Sequence, residues 1–376
     1  MPDADSADST ATPLALVEAV HVRVPFRRPL LDATGEYTHR RSWLLRVVDE
    51  QGREGLGEAA LNPFAEEVTT NALARLIRDL VPELAAGRPP AWPDLAAEGE
   101  PGRAAMAALD GATSSLAAQA AAGPGAAPIA VGATIGFGGP DAGADAAAQA
   151  VELGFETLKL RAGFERTTDQ LVDRVRAVRA AVGPEPRLTI DVAGAWDLET
   201  ATERLEAIER FRIEFVEQPL PAWDLTGHAA LRERLRVPIA LDESIDSEGS
   251  ARAALAERSA DVIVVKPARV GGLAAALRIA DAASSSGASV VLGTYFETGV
   301  GIAAVLRIAA ALRVAGGATL DSAVPAHSLA TAGILVHDLL EAPLSMEKGK
   351  MAVPAAVPLD DSEVERYTTE RFEVLG

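Results

Sequence analysis

The chain has 376 residues, is 48% hydrophobic but only 4% aromatic, and carries a formal charge of −19 with no cysteine. Its length exceeds that of one ordinary compact domain, and its apolar fraction is enough for a large core built mostly of Ala, Val, Leu and Ile. The negative excess opposes binding to phosphate backbones and anionic membrane surfaces, and the lack of cysteine excludes disulfides, thiolate nucleophiles, iron–sulfur clusters and cysteine-bound zinc.

Residues 1–13, MPDADSADSTATP, are acidic and polar with neither a basic n-region nor an apolar h-region. They read as a flexible tail and not as a signal peptide, so a cytoplasmic location is expected. Residues 14–125 read as one unit. Its first part, from about Leu14 to Glu58, is strand-like, and SWLLRVVDE-QGREG-LGEAAL has the form of a hairpin with a short polar turn. Helical patterns follow at Glu66–Leu84 and Ala104–Ala122, and the Gly/Pro-rich stretch AAAGPGAAP, Ala120 to Pro128, marks a boundary.

From 126 to 340 a rhythm sets in. Apolar runs rich in β-branched residues appear at AVGATI (130–135), TLKL (157–160), RLTID (187–191), IEFVE (213–217), VPIALDE (237–243), DVIVVK (261–266), ASVVLG (288–293) and ATLD (318–321). Amphipathic stretches separate most of them: Leu171, Val175 and Val178 share one helical face, as do Ala201, Leu205 and Ile208. The runs begin at intervals long enough for a right-handed βαβ crossover. Eight such units make either a closed parallel barrel or a doubly wound sheet, and periodicity alone does not separate them.

The polar residues do. Asp191 closes RLTID, Glu217 closes IEFVE and Asp242 follows VPIAL, so three successive strands each deliver a carboxylate to the rim where barrel active sites lie. Each carboxylate pair held at about 4 Å repels by about 4 kcal/mol at an effective dielectric near 20, so the set needs a cation or protons. All-oxygen ligands point to Mg²⁺, with Mn²⁺ as a substitute. The competing reading is that each acid caps the helix that follows it.

Lys159 and Arg161 lie two apart on TLKLR and so face the same side of their strand. Lys266 ends DVIVVK, four runs further on, across the mouth. Opposed lysines flanking a metal suit proton abstraction next to a carboxylate, with the metal stabilising an enediolate; neutralisation of the acids is the alternative. Gly299-Val-Gly301-Ile-Ala-Ala304 has the form G-x-G-x-x-A and makes a nicotinamide dinucleotide site conceivable. His327 follows the last run and reads as a surface-loop residue. His39, Arg40 and Arg41 read as a loop able to close over the mouth, which makes Arg40 a candidate substrate contact.

TLKLRAG, DVAGAWD, VEQPL, ALDESI, VVKPARVGG and GTYFETGVG, in this order and spacing, resemble the enolase superfamily, specifically its muconate-lactonizing-enzyme group. The resemblance runs from about Leu14 to the C-terminus. It implies a modified (β/α)₇β TIM-type barrel under an α+β capping domain, with residues 341–376 returning to the N-terminal cap. Sites of this superfamily in general pair a Lys or His base with one or two Mg²⁺ ions. Asp191, Glu217 and Asp242 match the metal ligands, and Lys159 and Lys266 match lysines on opposite faces. Glu297, in GTYFETGVG, matches an acidic position at the end of the seventh strand, and Thr294 and Glu297 are candidate substrate contacts.

Within the group, VVKPARVGG and AHSLATAGILVHDLL look most like o-succinylbenzoate synthases, and ETGVG is also similar to N-succinylamino acid racemases. The reaction implied is syn dehydration of a succinyl-hydroxycyclohexadiene carboxylate in menaquinone synthesis. Racemase or muconate-type cycloisomerase chemistry is the alternative, and a non-catalytic, metal-dependent anion-binding barrel is the reading from another class. The expected partner is a small carboxylate, with no nucleic acid or membrane; a homo-oligomer is compatible. The chain departs from the family pattern at Arg161, where a second lysine is usual, at Ala193, where Asn is common, and at MAVPAAVPLDD, which lacks the usual Gly-rich close. Guanidinium stays protonated near neutrality and is a poor base.

Overall fold

The computed structural model describes residues 13–31, 35–120, 126–136, 138–314 and 326–375. Strands β1 (Leu14–Leu31), β2 (Glu36–Asp49) and β3 (Glu54–Ala60) lead into helices α1 (Glu67–Ala85), α2 (Trp92–Ala97) and α3 (Gly99–Ala120). Val17, Ala19, Trp43, Leu45 and Val47 face the helices α1 and α3. The opposite face, Val20, Val22, Val24, Phe26 and Leu44, packs on Val300, Ala303, Leu335 and Leu339. A sheet buried on both faces needs apolar residues at both parities, which is why alternation in ALVEAVHVRVPF is only partial. The turn between β2 and β3 is held by Asp49, whose Oδ1 accepts the N–H groups of Gln51 and Arg53. Gly55 and Gly57 let α3 lie directly on β3, because a Cβ at either would collide with the carbonyl oxygens of Ala112 or Ala108.

Then come β4 (Ile129–Ala130), β5 (Ala133–Ile135), α4 (Pro140–Glu152), β6 (Thr157–Arg161), α5 (Thr168–Val182), β7 (Arg187–Asp191) and α6 (Leu198–Ile208). These are followed by β8 (Ile213–Glu217), α7 (Leu225–Arg234), β9 (Ile239–Leu241), α8 (Glu248–Ala256), β10 (Val262–Val265), α9 (Pro267–Val270), α10 (Leu273–Ser285), β11 (Ser289–Leu292) and α11 (Gly299–Val314). Strands β5 to β11 form one parallel sheet in sequence order. His327 and Ser328 bridge in parallel to Val131 on one side and to Gly293 on the other, so this short segment takes the eighth position and joins the two edges of the sheet. The expected eighth run, ATLD at 318–321, lies outside the described residues. Inside, Phe215, Ala240, Val262, Val264 and Val291 fill the barrel. A packed interior confines polar chemistry to the rim.

The chain ends with β12 (Met346–Glu347), β13 (Lys350–Met351), α12 (Asp361–Tyr367) and β14 (Thr368–Leu375). β14 pairs antiparallel with β1, from Leu16↔Leu375 to Val22↔Thr368, so the C-terminal strand completes a capping sheet of order β14-β1-β2-β3. Among the described residues no helix is long and apolar enough to cross a membrane.

Two sequence expectations are corrected. His39, Arg40 and Arg41 are not in a loop; they lie in β2, paired with Pro25, Val24 and Arg23 of β1. Arg40 is 1% exposed, and its guanidinium donates to Ser42 Oγ and to the carbonyls of Tyr295, Arg41 and Leu61. It ties the cap to the barrel, with its donors turned inward. His327 is not on a surface loop either. It is buried, and its Nδ1 accepts the Leu292 N–H at 3.0 Å, which leaves the ring proton on Nε2. Burial pulls its pKa down to about 4, so it stays neutral.

Candidate active site at the barrel mouth

Asp191 and Glu217 are the last residues of β7 and β8 and are Cα partners across the ladder; Asp242 stands one residue past β9. All three are buried. None caps a helix: α6, α7 and α8 are capped by Asp197, Asp224 and Ser247. Lys159 and Arg161 project from β6, Arg161 in register with Asp191, and Lys266 follows β10. Parallel register thus brings the three acids and the three cations to one rim.

The cations sit among the acids. Lys159 Nζ lies 2.8 Å from Glu217 Oε1, 2.7 Å from Oε2 and 3.4 Å from Asp191 Oδ2. Arg161 Nη1 donates to Asp191 Oδ2 at 2.5 Å. Lys266 Nζ donates to Asp242 Oδ2 at 2.6 Å and lies 5.2 Å from the centre of the Tyr295 ring. Arg269, which sequence reading did not single out, donates from Nη1 to Asp242 Oδ1 at 2.9 Å and to its carbonyl at 2.6 Å, and from Nε to the Tyr295 hydroxyl. Its signal in the sequence is its place in VVKPARVGG, three residues after Lys266.

The charges divide unevenly. Burial opposes ionisation of Asp242, but Lys266 and Arg269 outweigh it and hold the carboxyl well below the usual range. Asp191 is likewise held down, against burial, by Lys159 and Arg161. Glu217 goes the other way: burial, resisted by Lys159 and reinforced by Asp191 and Asp242, pushes it up to about 8. Burial alone would lower the Lys159 ammonium, yet Glu217 and Asp191 raise it above its ordinary value. One lysine is shared by two carboxylates, of which Asp191 ionises more readily.

Among the described residues no three acidic or histidine side chains already converge on one cation position. The donor set nevertheless fits one. It offers three buried carboxylates on adjacent strand ends, and Glu217 Oε2 has no hydrogen-bond partner, although the Lys159 ammonium lies within ion-pair distance. Crowded buried carboxylates, one of them reluctantly ionised, are satisfied by a hard divalent ion.

The remaining candidates part company. Thr294 stays at the mouth, past β11, its hydroxyl 3.0 Å from that of Thr331. Glu297 turns inward: it accepts the Tyr295 N–H at 2.5 Å and lines a small cavity with Glu58 and Gly301, between β3, α3 and α11. The G-x-G-x-x-A segment opens α11, but Glu58 already occupies that helix start, accepting from Thr298 N, Thr298 Oγ1 and Gly301 N, and Asp338 accepts from Gly299 N. These carboxylates stand where a dinucleotide phosphate would bind. Ala193 and Gln218 at the rim adopt left-handed backbone, with φ of 52° and 45°. Asn tolerates that region better than Ala, which explains the expectation of Asn at 193.

A family model described as "Enolase C-terminal domain-like" matches residues 142–358. The chain belongs to the enolase superfamily. It is 31% identical over 367 residues to an o-succinylbenzoate synthase of Geobacillus stearothermophilus, covering 93% of this chain and 94% of the relative. It is 37% identical over 152 residues to an N-succinylamino acid racemase of Amycolatopsis sp., covering 40% of this chain and 39% of that one. Among solved structures, a probable mandelate racemase of Alicyclobacillus acidocaldarius superposes with a TM-score of 0.79 at 28% identity, over 96% of this chain and 99% of that one. This superfamily member is therefore an enzyme, a lyase or isomerase that depends on a divalent metal.

Proposed function

We propose that the enzyme removes a proton α to a carboxylate with Lys266 as its base, and that its reaction is o-succinylbenzoate synthase-like dehydration. The observation that carries this reading is the asymmetry of the two lysines. Lys159 is locked between Glu217 and Asp191 and held protonated, and Arg161 beside it is a poor base, whereas among the described residues Lys266 hydrogen-bonds one carboxylate, Asp242, which it shares with Arg269. One face of the mouth thus carries a base and the other carries fixed positive charge.

Asp191, Glu217 and Asp242 would hold a divalent ion, Mg²⁺ by preference. When bound, it supplies Lewis-acid stabilisation of the charge that develops on the substrate carboxylate. Lys266 Nζ takes the α-proton. In a syn dehydration the same ammonium then returns that proton to the departing hydroxyl on its own face, so that water leaves and the ring becomes aromatic. Lys159 and Arg161 stay charged and orient the anionic substrate from the other face. The synthase relative, aligned along nearly the whole chain, supports this substrate class.

The test follows loss of the diene absorbance of a succinyl-hydroxycyclohexadiene carboxylate with Mg²⁺ present. Lys266→Ala should lower kcat by about 10²- to 10⁴-fold; unchanged turnover refutes the assignment. The racemase relative favours a second reading, 1,1-proton transfer, which needs a base on each face. α-Deuterium incorporation into both enantiomers of an N-succinylamino acid in D₂O would establish it, and exchange from one enantiomer only excludes it.

A further inference from the structure

We infer that Gln218 is a positioning residue that sets the spacing of the three carboxylates and thereby the affinity of the mouth for a divalent cation. The inference rests on the metal reading above. Gln218 follows Glu217 directly and is completely buried, in left-handed backbone at φ 45°. A long side chain in that conformation costs about 1–2 kcal/mol, so the surroundings must overdetermine it. They do, through all three acid-bearing strand ends. Its backbone N–H donates to Ala240 O of β9 at 2.8 Å, and its carbonyl accepts from Gly194 N, in the loop after β7, at 2.7 Å.

The side chain carries the connection further. Oε1 accepts from Asp242 N at 2.9 Å and from Ser244 N at 3.2 Å, while Nε2 donates to Leu220 O at 3.0 Å and to Ser244 Oγ at 2.8 Å. This pattern fixes the amide orientation, because a flipped amide would set NH₂ against two N–H donors. His228, also fully buried, closes the network. Its Nδ1 donates to Asp224 O at 2.7 Å, leaving Nε2 to accept from Leu220 N at 3.3 Å. Gln218 touches no carboxylate oxygen of the three acids in these contacts. It holds the backbone from which Asp242 projects, and its own backbone is continuous with Glu217.

Three like charges brought together need an external constraint on their spacing, and a ligand displaced by a few tenths of an ångström weakens a small hard ion first. Gln218→Met keeps the length of the side chain and removes both polar ends. Ser244→Ala removes only one anchor of the Gln218 amide, at a part-buried position, and serves where Gln218→Met does not fold. Titration calorimetry with MgCl₂ on the full chain, with circular dichroism to verify the fold, reads the effect without any turnover. Gln218→Met should raise the Kd about 10- to 100-fold and Ser244→Ala by a smaller factor. A folded Gln218→Met protein that binds Mg²⁺ like wild type overturns the inference, even if its melting temperature falls; so does an unchanged Kd for Ser244→Ala where only that variant folds. Wild type that binds no Mg²⁺ overturns the metal reading itself, and the inference with it.

Discussion

Magnesium affinity should rise with pH through the range in which Glu217 loses its proton. In the cation-free fold, burial, resisted by Lys159 and reinforced by Asp191 and Asp242, pushes this carboxyl up to about 8. Asp191 and Asp242 are held ionised against burial by their lysine and arginine contacts. A divalent ion requires ionised carboxylates, so near pH 6 it must expel about one proton, and that proton comes from Glu217. Well below about 8 each pH unit then weakens the apparent affinity about tenfold, or about 1.4 kcal/mol, and the step from pH 8 to pH 6, which starts with Glu217 half ionised, weakens it about 50-fold. Folding shows the matching sign. Glu217 is protonated up to about 8 when folded, but only to its ordinary value of 4.5 when unfolded. The folded state therefore binds the extra proton between those limits, and the Glu217 contribution to cation-free stability falls as pH rises across them, by about 5 kcal/mol. Saturating Mg²⁺ should remove most of that loss. Calorimetry at pH 6, 7 and 8, in buffers of different ionisation enthalpy, gives both Kd and the protons released. A Kd constant across this range with no proton release refutes the reasoning, and Glu217→Gln should lose the pH dependence together with most of the affinity.

Two further outcomes concern stability near the site. Glu58→Gln removes the charge that accepts from Thr298 N, Thr298 Oγ1 and Gly301 N at the start of α11, where hydrogen bonds to a charged group are worth about 1.5–3 kcal/mol each. Chemical denaturation should show a loss of about 3 kcal/mol, and a loss below about 0.5 kcal/mol would mean that the cap–barrel contact is supported elsewhere. Ala193→Asn relieves an exposed left-handed alanine at φ 52° and should stabilise by about 1 kcal/mol; a lower melting temperature would count against the strain.

The sequence by itself determined the barrel rhythm and the acids that end its strands. Those features are local: apolar runs of strand length, helical spacing between them, and a carboxylate at the end of each of β7 and β8, with one just past β9. Parallel register then brings them together with no further information, because Arg161, Asp191 and Glu217 are successive Cα partners across β6, β7 and β8. Arg161 was legible as a departure for the same reason. The chemistry between strands was not legible. That Lys159 bridges Glu217 and Asp191 while Lys266 hydrogen-bonds Asp242 depends on side-chain reach across the mouth.

Arg40 shows the limit most clearly. A cluster of His39, Arg40 and Arg41 in sequence looks like solvated loop, yet pairing with β1 places it in a sheet whose second face is covered by the barrel. Arg40 is buried there because internal oxygens of Ser42, Tyr295, Arg41 and Leu61 satisfy its donors, and two of these come from segments distant in sequence. Glu297 and the glycines after it are similar: their spacing fits a phosphate loop, but Glu58 from the cap takes the helix start. Gln218 and Arg269 lie inside the quoted motifs VEQPL and VVKPARVGG, but their roles were not legible there, since a residue that orients another is defined by contacts in space and not by any pattern along the chain.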